Sequence, residues 1–128
     1  MRTKFNSAFK AVAAIFVLVF ALNTLTACSA PQIEMSKVTA VIDLRTPGEV
    51  AETGTLEGAI VIDWNAGEFE SASASLDKAG NYVLFCRSGN RAGQAIAWMQ
   101  ENGFTGELTN AGGFADAQAA TGLAVVAG

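Results

Sequence analysis

One passage limits the fold of this chain more than any other, and it runs from Tyr82 to Gly103. Tyr82 to Cys86 (YVLFC) is apolar without alternation, the pattern of a strand buried on both faces of a parallel sheet. Asn90 to Gly103 then places Ala92, Ala95, Ile96 and Met99 at i, i+3, i+4 and i+7, which predicts a helix with one apolar face, stopped by Gly103. The rest of the chain alternates in the same way. Thr39 to Leu44 (TAVIDL) and Ala59 to Ile62 read as strands, and Thr46-Pro47-Gly48-Glu49 is a capping box that opens a short helix. Residues 54 to 58 read as a loop. Asn65 is expected to cap a helix reaching about Leu76, although the SASAS run is weak helix material. Glu107 to Thr109 is a further strand, Asn110 to Gly113 a turn, and the Ala-rich tail carries little signal.

Strands alternating with helices predict an α/β domain: a small parallel sheet flanked by helices on both faces, with a loop between a central strand and a helix as its working part. In such sheets ligands gather at the C-terminal ends of the strands. Asp43, Arg45, Cys86 and Asn110 all fall there.

The loop is Cys86-Arg87-Ser88-Gly89-Asn90-Arg91. A turn this tight between strand and helix aims successive backbone N–H groups inward, and the helix N-terminus behind it adds about half a positive charge. Gly89 supplies the conformational freedom the turn needs. A thiol in that field is acidified; free cysteine titrates near ~8.5, and electropositive helix N-termini lower this by several units. The chain has no histidine and only two cysteines, Cys28 and Cys86. Histidine-based triads, Cys–His proteolysis and His-ligated zinc are thereby excluded, and so is a Cys-x-x-Cys redox pair. No metal site and no cofactor is expected. Any thiolate at Cys86 must be held by amides, a helix terminus and arginines.

The first ten residues are basic, and residues 11–22 (AVAAIFVLVFAL) carry no charge. That run is too short for a spanning helix, which needs about 20 apolar residues, and has the length of a secretory signal core. Leu25-Thr26-Ala27-Cys28 resembles the lipobox of bacterial lipoproteins. The resemblance implies a signal peptide over 1–27, a lipid on Cys28, a tether over 28–37 and a domain over 38–128. It also implies export and anchorage to the cell-envelope membrane through that lipid. From Cys28 onward five basic residues face all twelve acidic ones, a formal charge of −7, which argues against nucleic acid or an anionic membrane surface as partner. Arg87 and Arg91 are two of those five, a local reversal of sign beside the thiol.

The loop resembles the active-site loop of the rhodanese family. Other segments match in order: Val41-Ile42-Asp43-Leu44-Arg45 with Thr46, Pro47 and Glu49; Gly58-Ala59-Ile60; and Asn110-Ala111-Gly112-Gly113. The match spans about residues 38 to 115, and with the export signal it is most similar to the small periplasmic rhodaneses of the phage-shock type. The resemblance implies that Cys86 takes sulfur from a donor such as thiosulfate, forms a persulfide, and passes the sulfur to cyanide or a thiol. It implies Arg87, Ser88, Gly89, Asn90 and Arg91 as the donor-binding cradle, with Asp43 and Arg45 in support. Two departures stand out. Thr55-Leu56-Glu57 replaces the family's usual His before Gly-Ala, which is expected to loosen that loop, and Asp116 to Ala120 stands where a Trp often follows the glycine pair.

Two other readings use the same residues. Phosphatases and arsenate reductases of the related type place five residues between Cys and Arg, whereas this chain has four. A non-enzymatic persulfide carrier would keep the same fold and thiol.

Overall fold

The computed structural model describes residues 32–128; the expected signal peptide, Cys28 and the first residues of the tether lie outside the described residues. The central sheet has four strands in the order β3-β1-β4-β5, all parallel: β1 (Ala40–Asp43), β3 (Ile60–Val61), β4 (Tyr82–Phe85) and β5 (Leu108–Asn110). β4 lies inside the sheet, and its four residues are at most 1% exposed, as the unbroken apolar run requires. Two apolar layers cover it. Ile42 and Leu84, paired across β1 and β4, face α3 (Asn90–Glu101) through Ala92, Ala95 and Met99, and α2 (Phe69–Ser73) through Phe69. Val41, Val83 and Phe85 face the other way, onto Ala117 of α4 (Phe114–Thr121) and onto Leu56. Each large apolar side chain buried this way contributes about 1.5–3 kcal/mol. The fold is the expected α/β sheet with helices on both faces.

α1 (Pro47–Thr53) begins as its sequence dictates. The Glu49 N–H donates to Thr46 Oγ1 at 3.3 Å, the Thr46 N–H donates to a Glu49 carboxylate oxygen at 2.8 Å, and Pro47 takes the first helical position.

Elsewhere the structure departs from the sequence expectation. α2 starts at Phe69 rather than after Asn65, because the Asp63 carboxylate captures the Ala66 amide at 3.2 Å and Gly67 turns the chain at φ 74°. It stops at Ser73, short of Leu76; the hydroxyls of Ser71, Ser73 and Ser75 bond back to local carbonyls. The 54–58 loop contains β2 (Thr55–Leu56), which pairs antiparallel with β6 (Val125–Val126) in the tail. Far from being loosened, Thr55 is 7% and Leu56 0% exposed. The tail also holds α4, whose Asp116 carboxylate accepts from the Gly113 N–H at 3.3 Å. Residues 32–37, the described part of the expected tether, run against the domain. The Ile33 N–H donates to the Ala120 carbonyl at 2.8 Å, and Ile33 and Met35 pack on the α4 side of the sheet. Apolar Ile33, Met35 and Val38 have a face to bury there.

Candidate active site

Cys86 follows β4 directly and is 0% exposed, packed on the α3 side of the sheet. Its own N–H donates to the Gly112 carbonyl at 3.1 Å, so the cysteine backbone is fixed to the glycine pair after β5. Beyond it the chain closes around the sulfur. The Gly89 N–H donates to Cys86 Sγ at 3.0 Å. That inward turn uses φ 92° at Gly89, where a Cβ would stand 3.2 Å from Gly112 Cα and 3.3 Å from Asn110 Oδ1. Gly113 allows a second close approach, since a Cβ there would lie 2.7 Å from the Arg87 carbonyl oxygen.

Burial alone would push the Cys86 thiol up. The backbone amides of Ala92, Ser88, Gly89 and Arg91 outweigh it, and the thiol sits below its ordinary value. Two of these amides, those of Arg91 and Ala92, belong to the first turn of α3, where N–H groups have no helical partner. The amides of Ser88, Gly89 and Arg91 lie within the expected 87–91 stretch, and that of Ala92 joins them. Ala92 was legible in principle, because the first turn of any helix offers orphan amides. Asn90 opens α3, and its Oδ1 accepts a long 3.5 Å bond from Gln94.

The arginines divide sharply. Arg91 grips Glu49 with both terminal nitrogens, Nη1 at 2.9 Å and Nη2 at 2.8 Å, and Nη1 also reaches the Leu44 carbonyl at 3.4 Å. Hydrogen bonding from Arg91, backed by the Thr46 amide, holds the Glu49 carboxyl at about 2 against the opposing effect of burial. The same bonds to Glu49, with the nearby Cys86 sulfur adding to them, raise Arg91 above the ordinary arginine range. An arginine at the start of a helix is therefore balanced by a fixed carboxylate of this chain. Arg87 is exposed and has no ion-pair partner among the described residues.

Asp43 and Arg45 form a buried bidentate pair behind the loop, at 2.9 and 2.8 Å. Arg45 also donates to Thr53 Oγ1 and the Gly54 carbonyl, and its guanidinium lies 4.4 Å over the Phe114 ring. Thr55 Oγ1 donates to Asp43 at 2.8 Å. This cluster ties β1, α1, β2 and α4 together and engages all three guanidinium nitrogens of Arg45. Asn110 was placed at this edge by the sequence but not in the cradle. Its Nδ2 donates to the Gly89 carbonyl at 2.9 Å and its Oδ1 accepts from the Gly112 N–H at 2.9 Å, which pins the loop to the end of β5.

An open hollow of about 170 Å³, lined by Arg45, Glu49, Glu52, Thr53, Arg87 and Phe114, borders the loop. A larger one of about 390 Å³ lies by Tyr82, at the opposite end of β4 from the thiol. Among the described residues no group of acidic or cysteine side chains is arranged to hold a metal ion. What the arrangement offers is an acidified sulfur held by backbone amides, with Arg87, unpaired among the described residues, next to it in the chain.

The profile of the rhodanese-like domain matches residues 29–120. A sulfurtransferase of Allochromatium vinosum is 32% identical over 87 residues, 68% of this chain and 78% of that protein. A candidate sulfurtransferase of Bacillus subtilis is 35% identical over 79 residues, 62% and 74% of the two chains. Among solved structures, a Staphylococcus saprophyticus protein aligns over 83% of this chain and 94% of its own, with TM-score 0.51 and 24% identity. A rhodanese-like domain protein from Staphylococcus aureus aligns over 82% and 91%, with TM-score 0.51 and 22% identity. At these identities the two structures speak for the fold alone.

Proposed function

Since the chain belongs to the rhodanese-like family, and the relatives above are named as sulfurtransferases, we propose that it carries sulfane sulfur through a persulfide on Cys86, from a thiosulfate-type donor to cyanide or a thiol. The observation that carries this reading is the sulfur of Cys86 held by backbone amides, with the Gly89 N–H at 3.0 Å and a thiol below its ordinary value.

The Cys86 thiolate attacks the outer sulfur of the donor. A Cys86–sulfur bond forms, the donor's S–S bond breaks, and sulfite leaves with the bonding pair. The extra charge now sits one atom further out, among the amides that held the thiolate. An acceptor anion then attacks that outer sulfur, the persulfide S–S bond breaks, and the Cys86 thiolate returns with the electron pair. Cyanide leaves as thiocyanate, a thiolate as its persulfide. No proton transfer is required, which suits a site without histidine. The two covalent half-reactions give ping-pong kinetics. Because Cys86 is 0% exposed, the donor reaches it through a local opening of the loop, and small anions are favoured.

Thiosulfate-to-cyanide turnover in the parent and in Cys86→Ser tests this: the variant is expected to lose all activity, and retained turnover removes Cys86 from the role. A carrier that hands its sulfur to a partner protein would form the persulfide with thiosulfate and yet show no turnover with cyanide. The phosphatase reading needs the arginine that closes the loop, Arg91, free to grip a phosphate, and both its terminal nitrogens are engaged with Glu49. Hydrolysis of p-nitrophenyl phosphate at a rate rivalling sulfur transfer would favour it.

The lipobox-like Leu25 to Cys28 supports a second proposal, export and attachment to the envelope membrane through a lipid on Cys28. No helix among the described residues is long and apolar enough to cross a membrane. The parent is expected to partition into detergent and Cys28→Ala to be released; a variant as membrane-bound as the parent refutes lipidation.

A further inference from the structure

Two arginines follow Cys86 in its loop, and the structure gives them different freedom. Arg91 is clamped at three points: two bonds to Glu49 at 2.8 and 2.9 Å and a longer one to the Leu44 carbonyl. Glu49 is itself fixed, since the oxygen that meets Arg91 Nη1 also accepts from the Thr46 N–H at 2.8 Å. The clamp joins residues 42 positions apart, from the capping turn of α1 to the first turn of α3. Arg87 is exposed at the rim of the 170 Å³ hollow and is paired with nothing among the described residues.

From this geometry we propose a division of labour: Glu49 is a positioning residue that locks Arg91 into the wall of the thiol site, and Arg87 alone among the three arginines of this edge meets the anionic donor. The proposal rests on the sulfurtransferase reading for its donor but not for the thiol. Arg45 is excluded from the donor by its burial at 2% and its bonds to Asp43, Thr53 and Gly54. Among the described residues the charged groups at this edge are Arg91 and Arg87 of the loop, Glu49 and Glu52 of α1, the Asp43–Arg45 pair at the end of β1, and Asp116 of α4 near Gly112 and Gly113. Of these, Arg91 is the cation coupled to the sulfur, and its long side chain disperses into solvent if Glu49 lets go.

The test uses the full chain carrying Cys28→Ser, so that Cys86 is the only thiol, and titrates the thiolate by its ultraviolet absorbance. Glu49→Ala is expected to raise the midpoint by about one unit, a roughly tenfold loss of thiolate below it. Loss of a nearby negative charge would by itself lower the midpoint, so a rise reports the release of Arg91 and not the missing carboxylate. Glu49→Gln keeps a carbonyl oxygen for Arg91 and is expected to restore the parent midpoint within a few tenths of a unit. Arg87→Ala is expected to leave the midpoint unchanged and to raise the donor concentration needed for half-maximal sulfite release about tenfold, as loss of a charge-assisted contact does.

An unchanged or lowered midpoint in Glu49→Ala, with only its thermal stability reduced, overturns the positioning role. If that variant does not fold, Arg91→Gln is titrated in its place, and an unchanged midpoint there overturns it equally. A donor requirement that rises as much in Glu49→Ala as in Arg87→Ala overturns the division of labour. The titration needs no turnover, so a protein that titrates as expected but moves no sulfur refutes the sulfurtransferase reading and spares this one.

Discussion

Two arginine–carboxylate pairs brace the C-terminal edge of the sheet, Asp43–Arg45 and Glu49–Arg91, and both are bidentate. Asp43–Arg45 joins neighbours in sequence, has side chains 0% and 3% exposed, and is enclosed by Thr53, Thr55, Phe114 and Phe85. Glu49–Arg91 joins segments far apart in sequence, is 21% and 15% exposed, and lies beside the Cys86 sulfur. The same chemistry therefore serves two ends. Deep burial makes the first pair a knot whose members cannot be removed singly. Partial exposure makes the second a clamp that adds less to stability and acts instead on the thiol.

Each end of this contrast can be broken separately. Asp43→Ala strands the Arg45 charge in a dry site and is expected to cost about 3–5 kcal/mol in denaturant unfolding; a loss below about 1 kcal/mol would erase the distinction between the pairs.

The exposed pair shows itself through pH. The Glu49 carboxyl lies at about 2 when folded, against an ordinary 4.5. Since its folded value is depressed, its contribution is complete above about pH 4.5 and is lost as pH falls toward 2. Partial exposure limits that contribution to about 1–3 kcal/mol. Parent and Glu49→Gln are expected to converge in stability across that interval, and curves that stay parallel would deny the pair any such role.

Smaller still is Asn110→Ala, which frees the Gly89 carbonyl and Gly112 amide. It is expected to cost about 1 kcal/mol and to speed hydrogen exchange in the loop; unchanged exchange would show that Asn110 does not hold it. Arg87→Ala is expected to stay within about 0.5 kcal/mol of the parent. A larger loss would mean that Arg87 is part of the brace and not a free cation.

The parts of the molecule that sequence revealed are those decided within a few residues. The capping box at Thr46 and Glu49, the doubly buried β4, the α3 repeat and the Cys86 loop are all local patterns. The pairing of Thr55-Leu56 with Val125-Val126 is not local, and two-residue strands leave no periodicity to read. α2 failed for a local reason that competed with the pattern: a turn at Gly67 closed by Asp63 and Trp64 displaced the helix start. At the site, Cys86 and its glycine were legible. That Arg91 would turn to Glu49 was not, because nothing in a loop of six residues says which distant acid will meet it. The Ala92 amide could have been foreseen from the helix start.

The central claim is that a thiol without any imidazole near it is kept ionised by backbone amides. It is tested most directly by titrating Cys86 in the folded full chain carrying Cys28→Ser. The account predicts a midpoint clearly below ~8.5, the value of a free cysteine, which returns to that value when the chain is unfolded in denaturant. A native midpoint at or above it would mean that burial wins over the amides of Ala92, Ser88, Gly89 and Arg91, and would contradict the account.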